Sequence, residues 1–474
     1  MRSFRPLPPL LRGAPFSGAA VPPGVGTAGG KVSFSKGEDR RLSISWSPVT
    51  GADCSSAVEI LRQILADPPG FIGAIEDQGA IPLAERVAAS IPQEDSILLL
   101  GIGGSALGAR TLVDALVPGD SRLTVLDNID PEGVDRTLDR LDLAHTTVLI
   151  ISKSGGTAET AAQLLRVYRA LEDAGVSADD KIIAITDPDR GALRELVTAR
   201  GWRSLPVPSD VGGRFSVMTA VGWLPAICCG IDVEGIRRGA QAVLGDLRLA
   251  EEDHGLVRWI SGWSAHQESR QTVVMFCYRD RLRTFGDWFA QLWAESLGKR
   301  HDLSGAEVWT GSTPLVARGV TDQHSLVQLF AEGPDDKQYL VLDSDLDTAD
   351  PILDQTTAAL HEDLQYLAGK SLGQLHRAER EGTVAALGSA GRPVSTMTLD
   401  ALDAEHLGAL MLTWEMATLM AAAILQVNPF DQPGVEGGKA VAFFKMGRSG
   451  WEEQAASITA GAPSITPAAP IPCR

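Results

Sequence analysis

Apolar residues in this chain gather in short blocks separated by segments of helical periodicity. From about residue 95 the blocks read "SILLL" from Ser96, "RLTVLD" from Arg122, "TTVLIIS" from Thr146 and "KIIAIT" from Lys181. Each has the length of a buried strand and each is followed by an amphipathic stretch, so the pattern predicts a parallel sheet with helical crossovers. Asp130 before Pro131 and Asp187 before Pro188 read as helix starts, an acid that caps with proline at the first helical position. After a helical connector at about 235–268 a second cycle follows. It runs "TVVMFCY" from Thr272, a helix over "FGDWFAQLWAESLG" from Phe285, "KQYLVLD" from Lys337, a long helix near 353–388 and "PVSTMTL" from Pro393. A helix at 403–427 closes the pattern, and no fixed-period repeat is visible.

The expected fold class is therefore α/β with two domains, at 46–240 and 241–427, each a parallel sheet flanked by helices on both faces. A carboxy-terminal segment at 428–450 follows. In such sheets ligands sit at the carboxyl ends of the strands. Residues 1–45 are rich in proline and glycine, and "ITAGAPSITPAAPIPCR" from Ile458 is of low complexity. Both ends, 1–45 and 451–474, are expected to be disordered tails. Arg2, Arg5 and Arg12 give the first tail a superficial likeness to a transit peptide, but Pro6, Pro8, Pro9 and Pro15 break any targeting helix there. A disordered tail or an over-extended start is the preferred reading.

With 474 residues and 44% hydrophobic content, the chain can bury large cores. Its formal net charge of −18 argues against a nucleic acid or an anionic membrane surface as partner, while leaving room for a small anion in a local basic pocket. The five cysteines show no metal spacing, and Cys228 and Cys229 are adjacent in an apolar run, which suits reduced thiols in the cytoplasm. The longest apolar runs, 220–231 and 416–425, fall short of the roughly 20 residues that cross a bilayer, so no membrane span is expected.

Two glycine-rich turns follow strands. "GIGGSALG" from Gly101 fits a loose dinucleotide fingerprint through Gly101, Gly103 and Ala106, with Asp127 closing the next strand. "SKSGGTAET" from Ser152 carries three hydroxyls and a lysine into a helix start, where backbone N–H groups and the helix dipole suit a phosphate. An ordinary capping turn, with Thr157 as cap, is the competing reading of that loop. Hydroxyls in quantity suit a terminal phosphate monoester better than a dinucleotide. "GGRFS" from Gly212 places Arg214 at a helix entrance, fit either for a surface ion pair or for stabilising charge on a reacting oxygen. In "QLWAESLGK", Gln291 and Glu295 share one helix face. The pair is either solvent-exposed or a general base raised in proton affinity by desolvation among tryptophans. His324 in "HSLVQL" and Lys439 in "FDQPGVEGGK" carry no chemistry on their own, since lone histidines and lysines are mostly structural or solvated.

In order and separation these stretches together resemble the glucose-6-phosphate isomerase (phosphoglucose isomerase) family, over about residues 95–445. The most specific parts are Gln291 four before Glu295 and the terminal "FDQPGVEGGK". The resemblance implies two sugar-isomerase (SIS) domains, no metal, no organic cofactor, and a homodimer in which His324 is supplied by the neighbouring subunit. It implies a reversible conversion of glucose 6-phosphate and fructose 6-phosphate through a cis-enediolate, in glycolysis and gluconeogenesis. On matching positions it makes Glu295 the proton-shuttling base, Arg214 the stabiliser of the enediolate, and His324 and Lys439 the groups that open the sugar ring. Gly104, Ser105, Ser152, Lys153, Ser154 and Thr157 would hold the phosphate, with Gln291 and Gln432 lining the site. A dual phosphoglucose/phosphomannose isomerase, a non-catalytic sugar-phosphate-binding protein and a dinucleotide-binding dehydrogenase stand as alternatives. Gly155, Gly156 and Leu297 depart from the family pattern.

Overall fold

The structure is a computed structural model describing residues 30–36, 40–47, 54–345 and 350–460. In chain order its strands are β1 (Gly30–Lys36), β2 (Arg40–Ser47), β3 (Ser96–Leu100), β4 (Leu123–Leu126), β5 (Thr146–Ile151), β6 (Ile182–Thr186), β7 (Arg203–Pro206), β8 (Thr272–Cys277), β9 (Lys299–His301), β10 (Glu307–Thr310), β11 (Thr313–Arg318), β12 (Lys337–Ser344) and β13 (Val394–Leu399).

The first sheet has the order β4-β3-β5-β6-β7 and every pairing is parallel. β3, β5 and β6 are buried along nearly their whole length, which is why they read as continuous apolar runs rather than alternating ones. Because β3 lies between β4 and β5, the chain leaves β3 to one side and returns on the other. That makes the carboxyl ends of β3 and β5 the topological switch point, where sheets of this kind bind ligands. The two glycine-rich turns both leave from there. β7 was not foreseen, since its four residues "RSLP" hold one buried side chain and no apolar block.

The second sheet has the order β1-β2-β13-β12-β8-β11. Its expected strands β13, β12 and β8 are parallel, and β11 joins them parallel, but β2 joins β13 antiparallel and β1 pairs back on β2. The sheet is thus mixed, and its hairpin comes from residues 30–47, placed by the sequence reading almost wholly in a disordered tail. The proline and glycine content of 1–29 masked the two-residue alternation of Leu42, Ile44 and Trp46, the ordinary strand signal. Residues 1–29 themselves lie outside the described residues. β11 also escaped notice, because it begins "TP" and stands at the sheet edge, the one place where a strand proline is tolerated.

Helix boundaries differ where turn chemistry intervenes. Asp130 caps the helix Pro131–Arg140 as expected, accepting from the Glu132 amide. Asp187 instead closes a turn by accepting from Asp189 and Arg190, whose amides pull its pKa down, and the helix Ala192–Arg200 starts after Gly191. The long helix near 353–388 resolves into two short turns and the helix Leu372–Ser389, opened by a Ser371–Gln374 capping box.

The helix Ala404–Ile424 is 21 residues, long and apolar enough to cross a membrane, although no such span was expected; threonines and Glu415 interrupt its apolar run in the sequence. It is buried almost throughout and serves as a core element. Gly239 and Gly408 let it cross the helix Val233–Leu247 at backbone contact, since a Cβ on Gly408 would lie 2.0 Å from the Ile236 carbonyl oxygen. Trp414 packs edge-on against Trp259 and Phe289 at 4.9 Å between ring centres, fixing the helix Arg283–Leu297 from below.

Both sheets belong to one unit that runs to Pro429, and the expected boundary at 240 falls inside the helix Val233–Leu247. A second unit begins at Phe430 and contains the helices Glu436–Lys445 and Glu452–Ala460. The latter occupies the start of the expected carboxy-terminal tail; residues 461–474 lie outside the described residues.

Candidate active site

The turn after β3 is held by two glycines for two reasons. Gly103 has φ 57°, a left-handed conformation that glycine adopts without cost. Gly104 is forced by proximity: a Cβ there would lie 2.3 Å from the Gly213 carbonyl and 2.8 Å from the Arg214 amide. Gly103 in turn abuts Gln291, whose Nε2 would be 2.7 Å from an added Cβ. The turn therefore touches the backbone at Arg214 and the helix that carries Glu295. Ser105 ends the turn, half-buried, at the mouth of the helix Leu107–Leu116.

The turn after β5 gathers hydroxyls. Ser152 and Ser154 lie 3.4 Å and 3.5 Å from the Thr157 hydroxyl, and the Gly156 amide donates to Ser154 at 3.3 Å. Thr157 stands at the cap position of the helix Ala158–Asp173, yet its side chain makes no capping hydrogen bond. The capping reading fails on that point, since the Thr157 hydroxyl takes up none of the first amides of the 16-residue helix. Gly155 has φ 64°, and a Cβ on it would lie 2.7 Å from the Leu193 amide, so the departure from the family pattern is a backbone requirement. Lys153 spends two donors on the carbonyls of Ser209 and Val211, each at 2.8 Å, and burial pulls its pKa below the usual lysine range. That bond ties the hydroxyl-rich turn to the segment leading into Arg214.

Arg214 is buried and hydrogen-bonded through every guanidinium nitrogen. Its Nε donates to Ser296 Oγ at 2.8 Å and one terminal nitrogen donates to Glu295 Oε2 at 3.1 Å. The other terminal nitrogen donates to the carbonyls of Pro429 and Glu295, at 2.5 Å and 3.4 Å. Gln291 Nε2 donates to the second carboxylate oxygen of Glu295 at 3.0 Å, so the four-residue spacing seen in the sequence becomes a contact. Glu295 is not a solvated surface acid: its side chain is one-third exposed and faces a guanidinium that is almost wholly buried. A carboxylate has about four lone-pair sites, so the group can accept these bonds and still take a proton.

The remaining candidates lie on other elements. His324 ends the short turn Thr321–His324 after β11, exposed, with no hydrogen bond or ion pair from its ring among the described residues. Gln323 anchors that turn by donating to the Glu379 carbonyl at 2.9 Å. Gln432 and Lys439 belong to the second unit, where Lys439 pairs with Glu436 at 2.9 Å. Leu297 is wholly buried and adds nothing to the site. The sequence reading overlooked Ser296 and Lys299, although both lie inside "ESLGK"; the sole signal was that a helix ending at Leu297 needs partners for its last carbonyls. Among the described residues no group of histidines, cysteines and acids is placed to hold a metal ion. Burial pushes the Cys228 and Cys229 thiols up to about 12 and about 11, which leaves them unreactive.

The family model described as phosphoglucose isomerase matches residues 87–446. The chain belongs to the phosphoglucose isomerase family. A relative named probable glucose-6-phosphate isomerase, from Haloarcula marismortui, is 42% identical over 356 residues, covering 74% of this chain and 78% of its own length. The glucose-6-phosphate isomerase of Rubrobacter xylanophilus is 38% identical over 413 residues, 82% of this chain and 91% of its own. Among solved structures, a hypothetical protein from Thermus thermophilus superposes with TM-score 0.76 at 33% identity, covering 83% and 94% of the two chains. A glucose-6-phosphate isomerase from Chlamydia trachomatis shares the fold, with TM-score 0.75 at 21% identity over 88% and 91%. The phosphoglucose isomerase match spans the turn after β3, the turn after β5, Arg214, Glu295, His324 and Lys439 together.

Proposed function

We infer that this chain is an aldose–ketose isomerase, interconverting glucose 6-phosphate and fructose 6-phosphate with Glu295 as its base. Relatives named glucose-6-phosphate isomerase at 38–42% identity over most of the chain support the activity. The observation that carries the site is the contact of Glu295 with Arg214, beside two ligand-shaped turns at the switch point of a parallel sheet.

Isomerisation moves one proton between adjacent carbons and passes through an enediolate. A partly exposed carboxylate can take the proton from one carbon and return it to the next. A fixed guanidinium beside it stabilises the negative oxygen between those events. Positioned base catalysis supplies about 10²–10⁴-fold, so the rest must come from orientation and oxyanion stabilisation. The phosphate is the handle: held by Ser152, Ser154, Thr157, Lys153 and the turn at Gly104 and Ser105, it commits the substrate while the reacting end lies several bonds away. Gln291 and Gln432 are the proposed further contacts to the sugar. His324 and Lys439 open the ring.

Because His324 stands exposed with no ring partner among the described residues, the site is read as completed by a second copy that brings its own His324. The two sheets are read as the cores of the two SIS domains, with Lys439 on the 428–450 segment. No cofactor enters the reading, and the reaction belongs to glycolysis and gluconeogenesis in the cytoplasm. A coupled assay on the purified full chain tests it. Glucose 6-phosphate should yield fructose 6-phosphate and the reverse; no turnover in either direction contradicts the activity, and equal turnover of mannose 6-phosphate would widen it.

A further inference from the structure

Glu295 sits in the last turn of its helix, Arg283–Leu297, the part of a helix whose carbonyls lack internal partners and whose backbone frays. A base that must reach two neighbouring carbons tolerates little displacement, since an error of about 1 Å costs on the order of 10²-fold. Something must hold this helix end. Lys299, 7% exposed, folds back from β9 so that its ammonium donates to the carbonyls of Glu295 at 2.5 Å and Ser296 at 3.1 Å. The cation thus meets the negative end of the helix dipole in a buried setting where solvent screens it little. Gly298 makes the turn possible, because a Cβ there would lie 2.9 Å from the Ala294 carbonyl oxygen.

Ser296, wholly buried, points its hydroxyl at Arg214 Nε, while the Glu295 carboxylate takes the adjacent edge of the same guanidinium. Two consecutive residues of one helix turn therefore grip two edges of one planar fork. The Glu295 carbonyl is shared by Lys299 and Arg214. Backbone and side chain of the base are locked to the same pair of cations.

We propose that Ser296 and Lys299 are positioning residues of the isomerase reaction: Lys299 fixes the helix end that presents Glu295, and Ser296 fixes Arg214 in the plane that meets both the base and the developing oxyanion. The proposal rests on the isomerase reading, and the parent chain's own turnover in the same assay tests that reading separately. Ser296→Ala and Lys299→Met, with folding checked by circular dichroism, should each lower kcat by about tenfold or more while KM for glucose 6-phosphate stays within about threefold. Because Ser296 acts through Arg214, Ser296→Ala introduced into Arg214→Ala should cost little further. If Lys299→Met fails to fold, Ser296→Ala and that double variant decide the matter. The proposal is overturned if folded Ser296→Ala keeps kcat and loses only thermal stability, or if its loss is undiminished when Arg214 is already absent.

Discussion

Arg214 and Glu295 lie 81 positions apart in sequence and meet at 3.1 Å, the guanidinium buried and the carboxylate one-third exposed. The pairing joins the turn after β7 to the helix Arg283–Leu297, and it brings together the residues proposed as cation and base for proton transfer between neighbouring carbons. Removing either partner leaves the other partly buried charge uncompensated, so single truncations here combine lost chemistry with lost packing.

The close approach of Gly104 to Gly213 and Arg214 leaves no space for a methyl group. Gly104→Ala should shift Arg214 and lower kcat by about 10²-fold. Gly382→Ala is the matched control: it stands exposed in the helix Leu372–Ser389 with nothing within 4 Å of the added Cβ, and should gain about 0.5–1 kcal/mol in stability with unchanged turnover. Steady-state kinetics and thermal melts on both variants check the contrast.

Thr157 holds a cap position without capping. Thr157→Val should therefore leave the melting temperature close to that of the parent while raising KM for the hexose phosphate about tenfold, near 1.4 kcal/mol of lost phosphate contact. A large loss of stability with KM unchanged would return the hydroxyl to a purely structural role.

Much of this site was legible in the sequence because its residues are local. The turns after β3 and β5 follow unbroken apolar strands, and Gln291 and Glu295 are one helical turn apart, so period and spacing were enough. What brings them together was not legible. The neighbourhood of β3 and β5 depends on strand order, and the approach of Arg214 depends on glycine contacts with no sequence period. β7 and β11 were missed because "RSLP" and "TPLVAR" hold too few consecutive apolar residues to stand out. Lys299 went unremarked in the sequence, and its fold-back onto two carbonyls shows its place.

His324 has no ring partner among the described residues, and a second copy is proposed to receive it. Glu295→Gln and His324→Ala should each be nearly inactive alone. When the two are unfolded and refolded together, mixed dimers carry one site with both residues intact, and roughly a quarter of parental activity should return. No recovery on mixing would mean that His324 serves its own chain or none.

Glu415 is wholly buried in the helix Ala404–Ile424, neither carboxylate oxygen has a hydrogen-bond partner among the described residues, and desolvation raises its pKa well above the usual 4.5. In the fold the group stays protonated where the unfolded chain would ionise. Its contribution is thus most favourable below pH 4.5 and is lost progressively as pH rises toward the folded value. Glu415→Met should stabilise the chain by roughly 1–3 kcal/mol at neutral pH, and the advantage should shrink as the pH is lowered toward 4.5. Denaturant titrations at several pH values measure it; a gain independent of pH would place the charge elsewhere.

The central claim is that one carboxylate moves the proton, and the most direct measurement compares parent and Glu295→Gln in a coupled assay run from both hexose phosphates. Glutamine keeps the shape and can still contact Arg214 and Gln291, so substrate binding should persist while turnover falls by about 10²–10⁴-fold in both directions. Turnover of Glu295→Gln at the parental rate would contradict the account.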